Sequence, residues 1–258
     1  MAAENNSASY VARFFKEHKI GQMLKQSNFT KQKGFSCKDL LQFLTALVFM
    51  GKNLWRYLNS DSDDAPFQKD TAYRFLNNCH HNWRRLLLPL SSQIIRSRIV
   101  PLTDEKRANV FIVDDSLYSR SRSKAVELLA RVFDHVSNRY VRGFRMLTLG
   151  WSDGNTFLPL SFSLLSSEKE SNRLQGMNAA LDKRTNGYRM RKEAMRKSTD
   201  VLLDLLKQAK VYMVPASYLL FDSWFAFPGL IRKVLEQKLH TICMLKAMPT
   251  VNYEYVGH

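Results

Sequence analysis

The chain has 258 residues, with 39 Lys or Arg against 23 Asp or Glu and a formal net charge of +16 at pH 7. A surplus of cations this large causes self-repulsion in the folded state, so it indicates a polyanionic partner. Nucleic acid is the first candidate for that partner, and an anionic membrane surface is the second. The three cysteines are odd in number and far apart, which argues against a disulfide framework and a structural zinc site.

Membrane insertion and secretion are not indicated. The longest apolar segment begins at Leu40, is interrupted by Gln42 and Thr45, and is too short to span a bilayer. The first ten residues have neither the positive start nor the apolar centre of a secretory signal. The sequence therefore predicts a cytoplasmic protein without a membrane partner.

Residues 1–105 are predicted to be all-helical, because apolar residues recur there at spacings of three and four. A polar, Pro-bearing loop at 59–70 leads into a predicted helix whose apolar face would carry Tyr73, Leu76 and His80. A turn followed by such a helix is typical of a helix-turn-helix DNA reader. A plain helical bundle with a solvated polar face is the alternative.

From residue 106 the pattern changes to an α/β alternation. The segment NVFIVDD predicts a strand, and residues 140–166 predict a hairpin with its turn at 153–155 and an edge or bulge at Pro159. A basic loop follows, then an amphipathic helix, a strand, a helix and a last strand. The amphipathic helix is predicted to carry its apolar residues on one face: Val201, Leu202, Leu205, Leu206 and Ala209. This order predicts a mixed sheet with helices on its faces.

Two of the predicted strands end in an aspartate, Asp114 and Asp222. Neighbouring strand ends are where side chains of an α/β sheet converge on a ligand site. Carboxylates suit Mg²⁺ or Mn²⁺, and phosphodiester cleavage uses such ions to activate the nucleophile and stabilise the leaving oxygen. One such aspartate alone is more often a turn or helix cap, so it is the pair that favours a metal site.

These segments, FIVDDS, the hairpin RGFRMLTLGWSDGNTFLPLSFSL and YLLFDSWF, together resemble the DDE transposases of bacterial insertion sequences, in particular the insertion-sequence-four group. The resemblance covers nearly all of the chain. It implies a ribonuclease-H-like catalytic domain over residues 106–258 and a DNA-binding helical region over residues 1–105. It also implies metal-dependent cleavage and strand transfer at terminal inverted repeats, with double-stranded DNA, both element ends and target, as the partner.

The resemblance also implies site residues. Asp114 corresponds to the first catalytic and metal-binding acid and Asp222 to the second, with Mg²⁺ or Mn²⁺ as the cofactor. Asp115 is the alternative first acid, and Asp114 is preferred because the family keeps Asp, one variable residue, then Ser or Thr. Whether the chain forms a homo-oligomer is left open.

The family's third acid is a Glu on a downstream helix, in a motif of Tyr, Arg, Glu and Lys type. Only Glu236 and Glu254 follow Asp222, and neither lies in such a motif. The resemblance therefore implies an incomplete fold and a transposase truncated before its third acid, with weak or no activity. The alternative is a non-catalytic DNA-binding protein with a degenerate nuclease fold that inhibits a full-length relative. A nuclease unrelated to mobile elements is a third reading.

Cations are concentrated in two segments, residues 118–145 and 183–197. Contact with DNA phosphates is one use for them, and a solvated charged face is the other. Trp224 and Phe225 would either stack on a displaced base or pack in the core. The predicted DNA-binding residues are Arg120, Arg122, Lys124, Lys183, Arg184, Arg189 and Arg191.

Overall fold

The computed structural model describes residues 2–58, 67–104, 106–134, 136–252 and 254, with side chains described from residue 9 onward except at residue 58. Backbone contacts group the chain into two compact units, Met1–Leu86 with Leu181–Arg189 and Leu87–Ala180 with Met190–His258. The division into folding domains at residues 105 and 106 stays a prediction. Among the described residues, no helix is both long enough and apolar enough to cross a membrane.

The first unit is helical. Its helices are α1 (Ala2–Glu17), α2 (Ile20–Gln26), α3 (Cys37–Phe49), α4 (Leu54–Leu58) and α5 (Lys69–Leu76), followed by α6 (Trp83–Ile94), which has residues of both units. The side chain of Ser36 caps α3 by accepting a hydrogen bond from the backbone N–H of Asp39 at 3.1 Å. Ile20, Leu24 and Leu40 are buried in the core of this unit. The helical prediction is confirmed over the described part of residues 1–105, whereas the predicted loop at 59–70 lies mostly outside it.

Helix α5 faces the core with a different side from the one predicted. Ala72 and Phe75 are buried, whereas Tyr73 and Leu76 are 37% and 38% exposed and His80 lies beyond the end of the helix. The predicted apolar face was therefore wrong. The Phe75 ring packs against Phe29 and Trp83, with centroids 5.9 and 5.7 Å away, and these contacts from outside the helix determine its orientation.

The second unit is built on a mixed sheet, which has six strands in the described residues. The strands are β1 (Val110–Ser119), β2 (Ala130–Asp134), β3 (Arg139–Ser152), β4 (Phe157–Leu165), β5 (Tyr218–Leu220) and β6 (His240–Ile242). Their order is β2-β3-β1-β5-β6, with β4 paired to β3. Strand β1 is antiparallel to β3 and parallel to β5, and β5 is parallel to β6. Together with flanking helices, this sheet confirms the predicted α/β class and is consistent with a ribonuclease-H-like fold.

The predicted hairpin of β3 and β4 is confirmed. Asp153 accepts hydrogen bonds from the backbone N–H groups of Asn155 and Thr156, and Gly154 has φ of +91°. The register shifts between Leu149 and Gly150, where Gly150 pairs with Pro159. Pro159 therefore lies at a bulge, where the missing N–H of proline is tolerated.

Two segments differ from the sequence-based prediction. The residues before Asp134 have a helical pattern in the sequence, which predicts a helix there: Leu128, Leu129, Val132 and Phe133 have the spacing of one helical face. In the structure Asp134 ends strand β2, so periodicity alone misassigned a short strand. The basic segment predicted as a loop contains helix α7 (Asn186–Glu193).

The core of the second unit lies between the sheet and two further helices, α8 (Ser198–Val211) and α9 (Pro228–Glu236). Phe111 and Val113 of β1 and Leu219 of β5 are buried in this core. Because side chains alternate along a strand, Ile112 and Asp114 lie on the opposite face of β1, and Asp115 lies on the core face. The predicted face of α8 is confirmed as buried: Val201, Leu202, Leu205, Leu206 and Ala209.

Candidate active site

Two aspartates lie just beyond the point where the parallel pairing of β1 with β5 ends. Strands β1 and β5 pair in a register that ends with Ile112 opposite Leu220. Asp114 and Asp222 each follow two residues later, and neighbouring strands are about 4.8 Å apart. The structure therefore brings the two predicted acids to neighbouring strands, but β1 continues to Ser119, so Asp114 lies within its strand and not at the end that the sequence predicted.

Asp222 also has a local structural role. It caps the short 3-10 turn Ser223–Phe225, where its Oδ1 accepts a hydrogen bond from the backbone N–H of Trp224 at 2.9 Å. This is the capping function expected of a single strand-terminal aspartate. The cap fixes the orientation of the carboxylate, so it is compatible with a ligand role.

Asp114 and Asp115 differ in their surroundings. Asp114 is exposed and accepts a hydrogen bond from the Ser116 hydroxyl. The side chain of Asp115 is only 9% exposed, and its Oδ1 is 2.9 Å from Nε of Arg145. Nη2 of Arg145 also donates to the Asp115 carbonyl oxygen at 2.6 Å. Arg145 therefore holds both the side chain and the backbone of Asp115.

A cavity of about 180 Å³ opens beside these groups. Asp115 and Asp222, but not Asp114, are among the described residues that line it, together with Arg145, Ser223, Trp224 and Lys246. Two carboxylates and two cations thus converge on one small space. Sequence reasoning missed Arg145 and Lys246, because neither is close in sequence to an acid of the cavity.

The carboxylates of this cluster interact electrostatically. Burial raises the pKa of Asp115, the hydrogen bond and charge of Arg145 oppose that shift, and the negative charges of Asp114 and Asp222 add to it. A buried carboxylate with two negative neighbours is destabilised in its ionised form. An added cation would relieve this repulsion, which is the electrostatic setting of a metal site.

The carboxylates that line the cavity are chemically suited to a hard divalent ion, but there are few of them. Carboxylate oxygens are the ligands that Mg²⁺ and Mn²⁺ prefer. No group of three or more His, Cys, Asp or Glu residues in the described part of the chain is arranged to hold a metal. Glu236 lies in α9, 3.7 Å from Arg232, and Glu254 is exposed.

A larger cavity of about 390 Å³ adjoins the same carboxylate, because Asp115 and Arg145 line both spaces. Arg131, Arg196 and Lys197 add positive charge to its wall. Its aromatic lining is Phe133, Trp224, Phe225 and Phe227. Phe225 is 2% exposed and belongs to the core, whereas Trp224 and Phe227 are 45% and 38% exposed and offer accessible rings.

The first predicted basic cluster is mostly open to solvent. Arg120, Arg122 and Lys124 follow β1 and are exposed. The guanidinium of Arg120 lies over the Tyr118 ring, 4.3 Å from its centroid, and donates to the Tyr118 hydroxyl. Arg122 and Lys124 are therefore more available than Arg120, whose guanidinium is engaged by Tyr118.

In the second predicted basic cluster, two arginines form ion pairs with carboxylates. Arg184 pairs with Asp182 at 2.9 Å, and this contact lowers the pKa of Asp182 to about 2. Arg191 pairs with Glu127 at 2.7 Å. Lys183 and Arg189 are exposed.

Residues 34–253 match the family described as DDE superfamily endonuclease. The matched range includes Asp114, Asp115 and Asp222. No curated protein matches the chain.

Proposed function

The chain belongs to the DDE superfamily endonucleases, and on that premise we propose that it is a transposase-type nuclease that acts on double-stranded DNA. The observation that carries the proposal is the convergence of Asp115 of β1 and Asp222, which follows the adjacent β5, on one cavity. The net charge of +16 further supports a polyanionic substrate. The finer proposal is an insertion-sequence transposase that cuts and joins strands at inverted-repeat ends in the cytoplasm.

Within the site, we propose Asp222 and Asp115 as the pair that holds a divalent ion, Mg²⁺ or Mn²⁺. The cavity that these two residues line favours Asp115 over Asp114, which the sequence pattern had favoured. Asp114 is close enough to affect Asp115 electrostatically, so it contributes negative charge to the site. When bound, the ion would activate the attacking oxygen and stabilise the leaving one.

The cationic side chains near the acids have distinct proposed roles. Arg145 orients Asp115 through its two contacts with that residue. Arg131 and Lys197, which line the adjoining cavity, would bind phosphates of the strand that approaches the acids. Exposed Trp224 beside Asp222 would stack on a base near the cleaved bond.

We further propose that this chain is a weak nuclease. Two cavity-lining carboxylates give fewer ligands than the three acids of the family pattern, and one of them is also paired with Arg145. Binding of DNA would be unaffected by this deficit, because basic residues provide it. The alternative function is a non-catalytic DNA-binding protein that inhibits a full-length relative, for which mixed oligomers would be the route.

The test of the site is a Mn²⁺ titration of the full chain, followed by electron paramagnetic resonance. Asp115→Asn and Asp222→Asn are expected to weaken Mn²⁺ binding by at least about tenfold, and Asp114→Asn by less. Asp134→Asn is the matched control, since Asp134 also ends a strand but does not line the cavity. Equal Mn²⁺ binding by the wild type and all variants would refute the site.

The test of the activity is nicking of inverted-repeat DNA in Mg²⁺, with DNA binding measured in parallel. Binding with slow nicking that Asp222→Asn abolishes is the expected result. Binding without any nicking would favour the inhibitor function. Rapid nicking by the wild type would refute the weak-nuclease proposal, and a chain that does not bind DNA would refute both functions.

A further inference from the structure

The helical unit has a cavity of its own, about 480 Å³ in volume. It lies among the loop at 30–35, the first residue of α3, helix α5, Asn78 and His81, all of which belong to the first compact unit. Its volume is within the range of small-ligand sites in proteins. The family match assigns no role to it.

His81 lines this cavity as a buried polar group without a hydrogen bond. The residue is 3% exposed, and its ring stacks on Phe29 with centroids 4.2 Å apart. Neither ring nitrogen has a hydrogen-bond partner. The Phe75 carbonyl lies near the ring and slightly favours its protonation, without a hydrogen bond of normal geometry.

The His81 ring lies beside the cavity without being able to hydrogen-bond its contents. Burial lowers the pKa of His81 to about 4, so the imidazole is neutral at neutral pH and adds no charge to the cavity wall. Both ring nitrogens are enclosed by protein, so a ligand in the cavity would contact other atoms of the ring and change its environment.

The charge of the cavity wall selects the ligand class. Lys31, Lys33 and Arg74 line it, and no Asp or Glu is among its lining residues in the described part of the chain. The Lys31 ammonium lies over Gly34, 3.7 Å from the position that a Cβ would take there. Thr30, Thr71 and Asn78 add neutral hydrogen-bonding groups.

A metal ion does not fit this space. Cys37 is the other soft donor in the wall, and burial raises the pKa of its thiol, which disfavours the thiolate that a metal would need. Three cations around one thiol and one imidazole repel a further cation. They attract an anion that can also hydrogen-bond.

We propose that this cavity is a binding site for a phosphate group, held by Lys31, Lys33 and Arg74, with the enclosed His81 ring beside it. The phosphate belongs either to a free nucleotide or to a DNA strand, because the cation-lined wall suits the same group from both sources. The site is independent of the aspartate cavity and of nuclease activity. A chain with a disabled acid pair would retain it.

The test follows the His81 ring signals by nuclear magnetic resonance in the full chain with isotope-labelled histidine. The probes are inorganic phosphate, deoxyadenosine monophosphate and a short DNA duplex. Saturable shifts of the His81 signals with the mononucleotide indicate a free-nucleotide site, and shifts with the duplex alone indicate a DNA phosphate. The absence of a saturable shift with every probe overturns the proposal.

Variants separate the cavity from general charge effects. Lys33→Gln and Arg74→Gln are expected to weaken binding by about tenfold each, since each removes one charge-assisted hydrogen bond. Lys25→Gln is the matched control, because Lys25 is exposed on α2 and does not line the cavity. His81→Phe identifies the signals and keeps the aromatic packing. Binding that is equally strong in Lys33→Gln, Arg74→Gln and Lys25→Gln also overturns the proposal.

Discussion

Several effects shift the pKa of Asp115 in opposite directions, and burial is the largest of them. Its pKa is raised despite the contact with Arg145, because Asp114 and Asp222 add repulsion to the desolvation. For an acid whose pKa is raised on folding, stability is greatest at low pH and falls as the pH rises and the group ionises. Asp115 therefore reduces stability at neutral pH, which is common for residues kept for function.

Removal of that charge gives the first residue-scale prediction. Asp115→Asn is expected to raise the free energy of unfolding at pH 7 by up to about 1 kcal/mol, whereas Asp114→Asn changes it by less than about 0.5 kcal/mol. Arg145 keeps its hydrogen bonds to the carbonyl oxygens of Asp115 and Phe133 in the variant. Urea denaturation measures both changes. A loss of stability in Asp115→Asn would mean that the ion pair outweighs burial and repulsion.

His81 gives a second prediction, with the opposite dependence on pH. Its pKa falls from 6.5 to about 4 on folding, so only the unfolded chain takes up the proton between these values. Stability is therefore lost as the pH decreases from 6.5 toward 4, by at most about 3 kcal/mol. His81→Phe should remove this part of the pH dependence.

The measurement is urea denaturation at several pH values, with His80→Gln as the control because His80 is exposed. The control should keep most of the wild-type pH dependence, because burial is the largest cause of the lowered pKa of His81 and the charge of His80 is a smaller one. If His81→Phe shows the same loss of stability at low pH as the wild type, His81 is not the buried neutral group described above.

At the scale of elements, two glycines of β3 differ in what an added Cβ would meet: one faces the backbone of a neighbouring strand and the other faces a partly exposed side chain. A Cβ on Gly143 would lie 2.5 Å from the Tyr118 carbonyl oxygen, which is backbone of the neighbouring β1. A Cβ on Gly150 would meet the ring of Phe157, a side chain that is 53% exposed. The ring can move toward solvent, whereas the strand backbone cannot.

Gly143→Ala is therefore expected to lower the free energy of unfolding by about 2 kcal/mol, and Gly150→Ala by less than about 1 kcal/mol. Chemical denaturation of the two variants measures the difference directly. Equal effects would show that the β1–β3 pairing adjusts as easily as the Phe157 side chain does.

The same elements show what the sequence could predict. The strand before Asp114, the hairpin around Asp153 and the buried face of α8 follow from local periodicity, and the structure confirms them. The buried face of α5 depends on Phe29, far along the chain, and strand β2 depends on its pairing with β3, the next strand in sequence; periodicity misassigned both. The local pattern alone therefore does not decide the type of a short element or which side of an element is buried.

The candidate site also has one part that the sequence could predict and one part that it could not. Asp114 and Asp222 were identifiable because each ends an apolar run, and their strands prove to be adjacent. The contact of Arg145 with Asp115 spans 30 residues, and Lys246 reaches the cavity from beyond β6. Neither position could be predicted from spacing, because the pairing of β1 with β3 and the chain path after β6 determine them.

At the scale of the whole molecule, the cations that give the net charge of +16 differ in how available they are to DNA. Arg184 and Arg191 already have carboxylate partners, whereas Arg122 and Lys124 are exposed. Ion-paired guanidinium groups release fewer counterions on DNA binding than solvated ones do. The exposed pair should therefore contribute more to the salt dependence of binding.

This difference is measurable as the slope of the logarithm of DNA affinity against the logarithm of salt concentration. The double variant Arg122→Gln with Lys124→Gln should reduce that slope by up to about 2, because each phosphate contact contributes about one. Arg184→Gln should reduce the slope by less than about 1, since it removes a cation already neutralised by Asp182. Filter binding over a salt series gives both values. If the double variant keeps the wild-type slope, the first basic cluster is a solvated face and DNA binding depends on other cations.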